Sequence, residues 1–88
     1  MDKYEVQVDK RVLKSLRKFP ANHLGQVQAA MKQLEVLPRP QDAKLLKRTG
    51  GYRKTVGEYR ILYTISDPER LVTVYKIVKR NDFSYQDE

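Results

Sequence analysis

Tyr52-Arg53-Lys54-Thr55-Val56-Gly57-Glu58-Tyr59-Arg60-Ile61-Leu62-Tyr63 is the stretch on which the fold turns. Two β-prone runs flank Gly57-Glu58, and glycine first in a two-residue loop suits a type II′ hairpin turn. That turn sets Val56 against Tyr59, Thr55 against Arg60, Lys54 against Ile61, Arg53 against Leu62 and Tyr52 against Tyr63. Side chains alternate along a strand, so Tyr52, Val56, Tyr59, Ile61, Tyr63 and Ile65 share one face, which reads as core. Arg53, Thr55, Arg60, Leu62 and Thr64 share the other. Arginines on the open face of a central hairpin are an uncommon use of charge, and they direct attention to that face.

Working outward from the hairpin, the amino-terminal Tyr4, Val6 and Val8 alternate with Glu5 and Gln7, as in a short half-buried strand. Asp9 is placed to cap a helix that begins at Lys10. Between Lys10 and Phe19, apolar Val12, Leu13, Leu16 and Phe19 recur at helical spacing among basic residues. Pro20 closes that helix and suits the start of the next, expected over about Ala21 to Val36. Its inner stripe is Leu24, Val27, Met31 and Leu34, with Ala30 beside it. His23, in its first turn, is expected to be an exposed polar residue. Pro38 and Pro40 end the helix. Gln41 to Arg48 is too short to read from pattern, and Thr49-Gly50-Gly51 is a turn. Ser66 to Arg70 is a turn, and a strand rich in β-branched residues runs over Leu71 to Val78. Pairing Ile65 with Leu71 sets Lys76 opposite Arg60. The fold expected is α+β, with two amino-terminal helices packed on one face of a small, mostly antiparallel twisted sheet.

Composition sets the outer bounds. Eighty-eight residues suit one small domain over 1–88 with a thin core. The formal charge is +7, from eighteen Lys and Arg against eleven Asp and Glu. Such a field draws phosphates and carboxylates. There is no cysteine, and His23 is the one histidine, which leaves out disulfides, thiolate chemistry and any multi-histidine metal site. No metal or other cofactor is expected. No apolar run approaches the roughly 18 residues that a membrane-spanning helix needs. The charged amino terminus lacks a signal-peptide core, so a cytoplasmic location is expected.

The positive field concentrates between Lys44 and Arg60, a stretch that includes Lys47, Arg48, Arg53 and Lys54. On the expected register Arg53, Arg60, Lys76, Lys79 and Arg80 gather on one side of the sheet. Like charges on adjacent strands repel unless an anion sits among them. Phe83 and Tyr85 come soon after, and aromatic rings beside cations suit unstacked bases. A metal-free ribonuclease needs little more than this. It holds the ribose 2′-OH in line with its own 3′-phosphate, stabilises charge on the phosphoryl oxygens, and moves a proton on and off.

The hairpin run resembles the Tyr-Arg-x-x-Val-Gly-x-Tyr-Arg-Ile-Leu-Tyr segment of the RelE/ParE superfamily of small bacterial toxins. The likeness continues through the amino-terminal strand, the two helices, the Lys44-Leu45-Leu46 stretch, and the basic Lys79-Arg80. The resemblance implies a toxin of a type II toxin–antitoxin system, and for Gln41 to Arg48 a loop or short strand. For a RelE-like member it further implies ribosome-dependent cleavage of mRNA in the A site. It implies as partners the 70S ribosome, mRNA and an acidic RelB-like antitoxin. By that likeness Arg60 contacts the scissile phosphate, Arg53 holds the first basic position of the preceding strand, and Arg80 stabilises charge or protonates the leaving group. Tyr85 best matches a terminal tyrosine that stacks on a base. Lys54, Lys76, Lys79, Lys47 and Arg48 are the expected RNA contacts. Thr55 departs from the pattern, standing where RNases of the family carry a lysine as base. The alternative implied is a ParE-like protein that binds and inhibits DNA gyrase without catalysis, and a third reading is a plain nucleic-acid-binding domain.

Overall fold

The structure is a computed structural model that describes residues 3–79. Its elements run β1 (Glu5–Val8), α1 (Lys10–Leu16), α2 (Ala21–Gln33), β2 (Lys44–Leu45), β3 (Tyr52–Val56), β4 (Tyr59–Ser66) and β5 (Leu71–Lys79). The five strands form one sheet in the order β1-β5-β4-β3-β2. β1 lies parallel to β5, and every other pairing is antiparallel. The chain is therefore α+β, with both helices packed on one face of a mostly antiparallel sheet.

Local chemistry sets the ends of the helices. Asp9 caps α1, its carboxylate accepting the Arg11 amide at 2.8 Å. α1 stops at Leu16, short of the expected Phe19. The Lys18 and Phe19 amides reach back only three residues, to the carbonyls of Ser15 and Leu16. That tightening precedes Pro20, whose ring disfavours helical backbone in the residue before it. The same tightening over Leu34, Glu35 and Val36 finishes α2 ahead of Pro38.

The hairpin pairs as its sequence dictates. Val56 faces Tyr59, Thr55 faces Arg60, and so on to Tyr52 and Tyr63. Gly57 takes φ +56° while Glu58 stays out of positive φ, as a II′ turn requires. Tyr59, Ile61 and Tyr63 join Val12, Leu16, Val27, Ala30, Met31, Leu34, Val72 and Val74 in the core between sheet and helices. Tyr63 is wholly enclosed, and its hydroxyl donates to the Pro38 carbonyl at 2.8 Å. Burial pushes the pKa of that phenol up to about 12, so it remains a donor at neutral pH.

β4 and β5 pair differently from the expectation. Ser66, rather than Ile65, stands opposite Leu71, and Arg60 stands opposite Val78 rather than Lys76. The turn slips the register by one residue. A bulge between Leu62 and Tyr63 shifts it by one more, leaving Tyr75 as the extra residue. Two odd shifts make an even one. Lys76 therefore keeps the face expected of it, now opposite Leu62.

Two ion pairs tie the loop after α2 to the sheet. Arg39 grips both Asp67 oxygens, at 3.2 and 2.9 Å, while Tyr4 donates to the same carboxylate. Arg39 Nε also donates to the Tyr52 hydroxyl at 3.0 Å. Lys54 Nζ holds Asp42 at 2.9 and 3.1 Å. The Arg39 and Tyr4 hydrogen bonds lower the pKa of Asp67, and the Lys54 hydrogen bond lowers that of Asp42. A carboxylate whose pKa is depressed on folding contributes stability that is whole above its ordinary value of 3.8 and is lost as pH falls through the folded value. Urea midpoints should therefore drop on acidification below about pH 4. In the Asp42→Asn, Asp67→Asn double variant the drop should be shallower. An equally steep fall in that variant would place the acid sensitivity elsewhere.

Candidate functional site

Strand registers place the cations in rows that cross the sheet. Lys44 pairs with Arg53, Arg53 with Leu62, and Leu62 with Lys76, one row through β2, β3, β4 and β5. The next row on the same face is Thr55, Arg60 and Val78. No acidic residue stands in either row. Arg60 thus sits on the central strand, two residues from Leu62, with Arg53 and Lys76 to its two sides. It is half-buried, and its Nε is shielded from solvent. A guanidinium on a strand paired on both edges is held more firmly than one on a loop, and it presents a planar fork suited to a phosphate.

The face around it is less open than alternation alone implies. Leu46, Leu62 and Val78 are buried, yet they lie outside the helix-side core cluster. The cations thus surround an apolar patch of their own, whose low polarity strengthens charge–charge interactions nearby.

Lys54, expected among the RNA contacts, does not lie on this face. It pairs with Ile61 on the core side, is 8% exposed, and its ammonium is taken by Asp42. Only a bulge in β3 would turn it over, and the bulge of this sheet lies in β5 instead. Lys79 is also displaced from the expected cluster. It pairs with Tyr59 and so sits on the helix side, where it lines a cleft of about 410 Å³ with Lys18, Phe19, His23 and Tyr59. Lys47 and Arg48 are exposed in the loop between β2 and β3, at the end of β3 away from Arg60. Arg80, Phe83, Ser84 and Tyr85 lie outside the described residues.

His23 is a structural partner rather than an exposed polar group. Its Nδ1 lies 3.0 Å from the Tyr59 hydroxyl, and its Nε2 lies 3.9 Å from Glu58. Phe19 stacks on the Tyr59 ring at 4.5 Å. The histidine thus satisfies a phenol that is 4% exposed, on the face away from Arg60. Among the described residues no group of three or more His, Cys, Asp or Glu could hold a metal ion.

Residues 6–82 match the family described as the ParE toxin of the type II toxin–antitoxin system parDE. The chain belongs to the RelE/ParE toxin superfamily. A relative from Methanocaldococcus jannaschii, named for the toxin RelE1, is 30% identical over 82 residues, 89% of this chain and 91% of the relative. Among solved structures, the archaeal RelE–RelB complex from Pyrococcus horikoshii matches with a TM-score of 0.81 at 28% identity, over 89% of this chain and 96% of that one. The RelBE2 toxin–antitoxin complex of Mycobacterium tuberculosis matches with a TM-score of 0.79 at 27% identity, over 89% and 99% of the two chains. The E. coli RelBE complex matches with a TM-score of 0.77 at 25% identity, over 90% and 99%.

Within this RelE/ParE scaffold, one cation is not legible from sequence. Lys44 extends the row beyond Arg53, but β2 is only two residues long and shows no alternation to assign its face. The signal available is its place in Lys44-Leu45-Leu46. A hairpin back from Gly51 sets Lys44 beside Arg53, and that reading needs the loop between β2 and β3 to be known.

Proposed function

We propose that this toxin is a ribosome-dependent endoribonuclease that cleaves mRNA in the A site and so inhibits translation. The observation that carries the reading is Arg60, fixed on the central strand between Arg53 and Lys76 in rows that contain no acid. In the reaction the ribose 2′-oxygen attacks the adjacent phosphorus and the 5′-oxygen leaves, giving a 2′,3′-cyclic phosphate and a 5′-OH. Arg60 neutralises charge on the phosphoryl oxygens as it develops. Arg53 and Lys76 add to the field that draws the substrate in. Arginine stays protonated, so the proton transfers fall to other groups, with the tail residue Tyr85 a candidate on this reading. An acidic antitoxin would cover the cationic face, and the +7 charge supplies the attraction. The RelE–RelB and RelBE structures that this chain resembles are complexes of a toxin with its antitoxin.

One observation favours a gyrase-binding toxin without catalysis. Thr55 stands opposite Arg60, and Lys54 is engaged by Asp42 on the far face, so β3 offers no lysine beside the arginines. The two readings separate in one pair of assays. Purified protein added to ribosomes carrying defined mRNA should yield A-site fragments ending in a cyclic phosphate. Intact mRNA together with blocked supercoiling by purified gyrase would replace the first reading with the second.

A further inference from the structure

We propose that the mRNA backbone crosses the sheet at right angles to its strands, with Lys44 and Lys76 binding phosphates on opposite sides of the one held by Arg60. The inference rests on the RNA-cleaving reading and adds a binding residue and a path to it. Lys44 and Lys76 end the row that runs Lys44, Arg53, Leu62, Lys76. Both are exposed, and neither makes a hydrogen bond or ion pair among the described residues. The acid nearest to Lys44 in sequence, Asp42, has its carboxylate held by Lys54 on the other side of the sheet. Neighbouring strands lie about 4.8 Å apart, so the row spans roughly 14 Å between its end Cα atoms. Long lysine side chains widen that reach, which exceeds what a single phosphate needs. Arg60 lies one row over, on the strand between Arg53 and Lys76. A polyanion that runs along the row meets positive charge before, at and after Arg60. One that ran along β4 would leave the line of cations at once, for Leu62 and Thr64 come next after Arg60 on that face.

The path fixes which phosphate each lysine senses, and that can be read directly. Single-turnover cleavage would be followed on ribosomes programmed with mRNAs carrying one uncharged methylphosphonate, placed in turn at each linkage flanking the scissile one. With unmodified mRNA, Lys44→Ala should raise the programmed-ribosome concentration for half-maximal cleavage about two- to fivefold, the range of an exposed ion pair. Lys44→Arg should restore it. One methylphosphonate should erase the difference between wild type and Lys44→Ala, and a second, on the other side of the scissile linkage, should do so for Lys76→Ala. Coupling of both lysines to the same side overturns the crossing path. A Lys44→Ala defect that no methylphosphonate erases also overturns it, because the contact is then to ribosomal RNA. Absence of cleavage by the wild-type protein is a separate result, which removes the RNA reading itself.

Discussion

Arg60→Ala should, on the RNA-cleaving reading proposed above, slow single-turnover cleavage of A-site mRNA about 10²–10³-fold while the protein stays folded, a loss of roughly 3–4 kcal/mol in transition-state stabilisation. No other single replacement should cost as much. Arg60 is positioned by pairing on both edges of β4, with Thr55 on one side and Val78 on the other. Its guanidinium is therefore in place before charge develops, and little reorganisation accompanies the reaction. Arg80→Ala should rank next, and Arg53→Ala third, chiefly as a lost phosphate contact. Lys54→Met is the informative control, since it keeps the packed stem and removes only the charge that holds Asp42. It should cleave at close to the wild-type rate. Circular dichroism on each variant separates lost chemistry from lost fold. If folded Arg60→Ala cleaves as fast as wild type, the active face has been placed wrongly.

Gly51→Ala should destabilise the domain by about 1–3 kcal/mol, the range of an overpacked position. A Cβ at Gly51 would lie 2.8 Å from the backbone oxygen of Tyr63, with Thr49 Oγ1 at 3.4 Å and Thr64 Cγ2 at 3.5 Å. Side chains could yield, but the oxygen belongs to β4, which is paired on both edges and carries the enclosed Tyr63 ring. Each kcal/mol lost should lower Tm by about 4–8 °C in a domain this small. Gly25→Ala is the matched comparison. A Cβ there meets nothing within 4 Å, and the residue lies inside α2. That variant should gain roughly 0.5–1 kcal/mol. Thermal melts of the two alanine variants should therefore move in opposite directions, and a shift of the same sign in both would sink the steric account of Gly51.

The parts of this architecture that can be read from sequence are those set by short-range rules. Gly57-Glu58 closes a two-residue loop, which leaves one register for Tyr52 through Tyr63, and strict alternation then sorts core from open face. The β4–β5 register is not readable in the same way. The four residues Asp67 to Arg70 form a looser turn, with Arg70 at φ +51°, and the bulge at Tyr75 leaves no mark in a β-branched run. Lys76 reaches its expected face because slip and bulge cancel in parity. Lys79, three residues on, falls on the opposite face by the same alternation, so it cannot stay with Lys76. His23 escapes a local reading because its partner, Tyr59, is 36 residues away in sequence and no short-range pattern links them.

Alternation along β3 and β4 has a consequence for how such a toxin can change. Alternate positions along each strand answer to different demands: Ile61 and Tyr63 to the helices, Arg60 and Thr55 to whatever is bound outside. Selection can rewrite one set while the other stays fixed, as two texts written on opposite sides of one page. A lysine in place of Thr55 would be such an edit, and it would leave every core residue as it is. A scaffold divided in this way can trade one target for another by a few surface replacements, and its descendants can keep a common backbone while acting on unrelated machines of the cell.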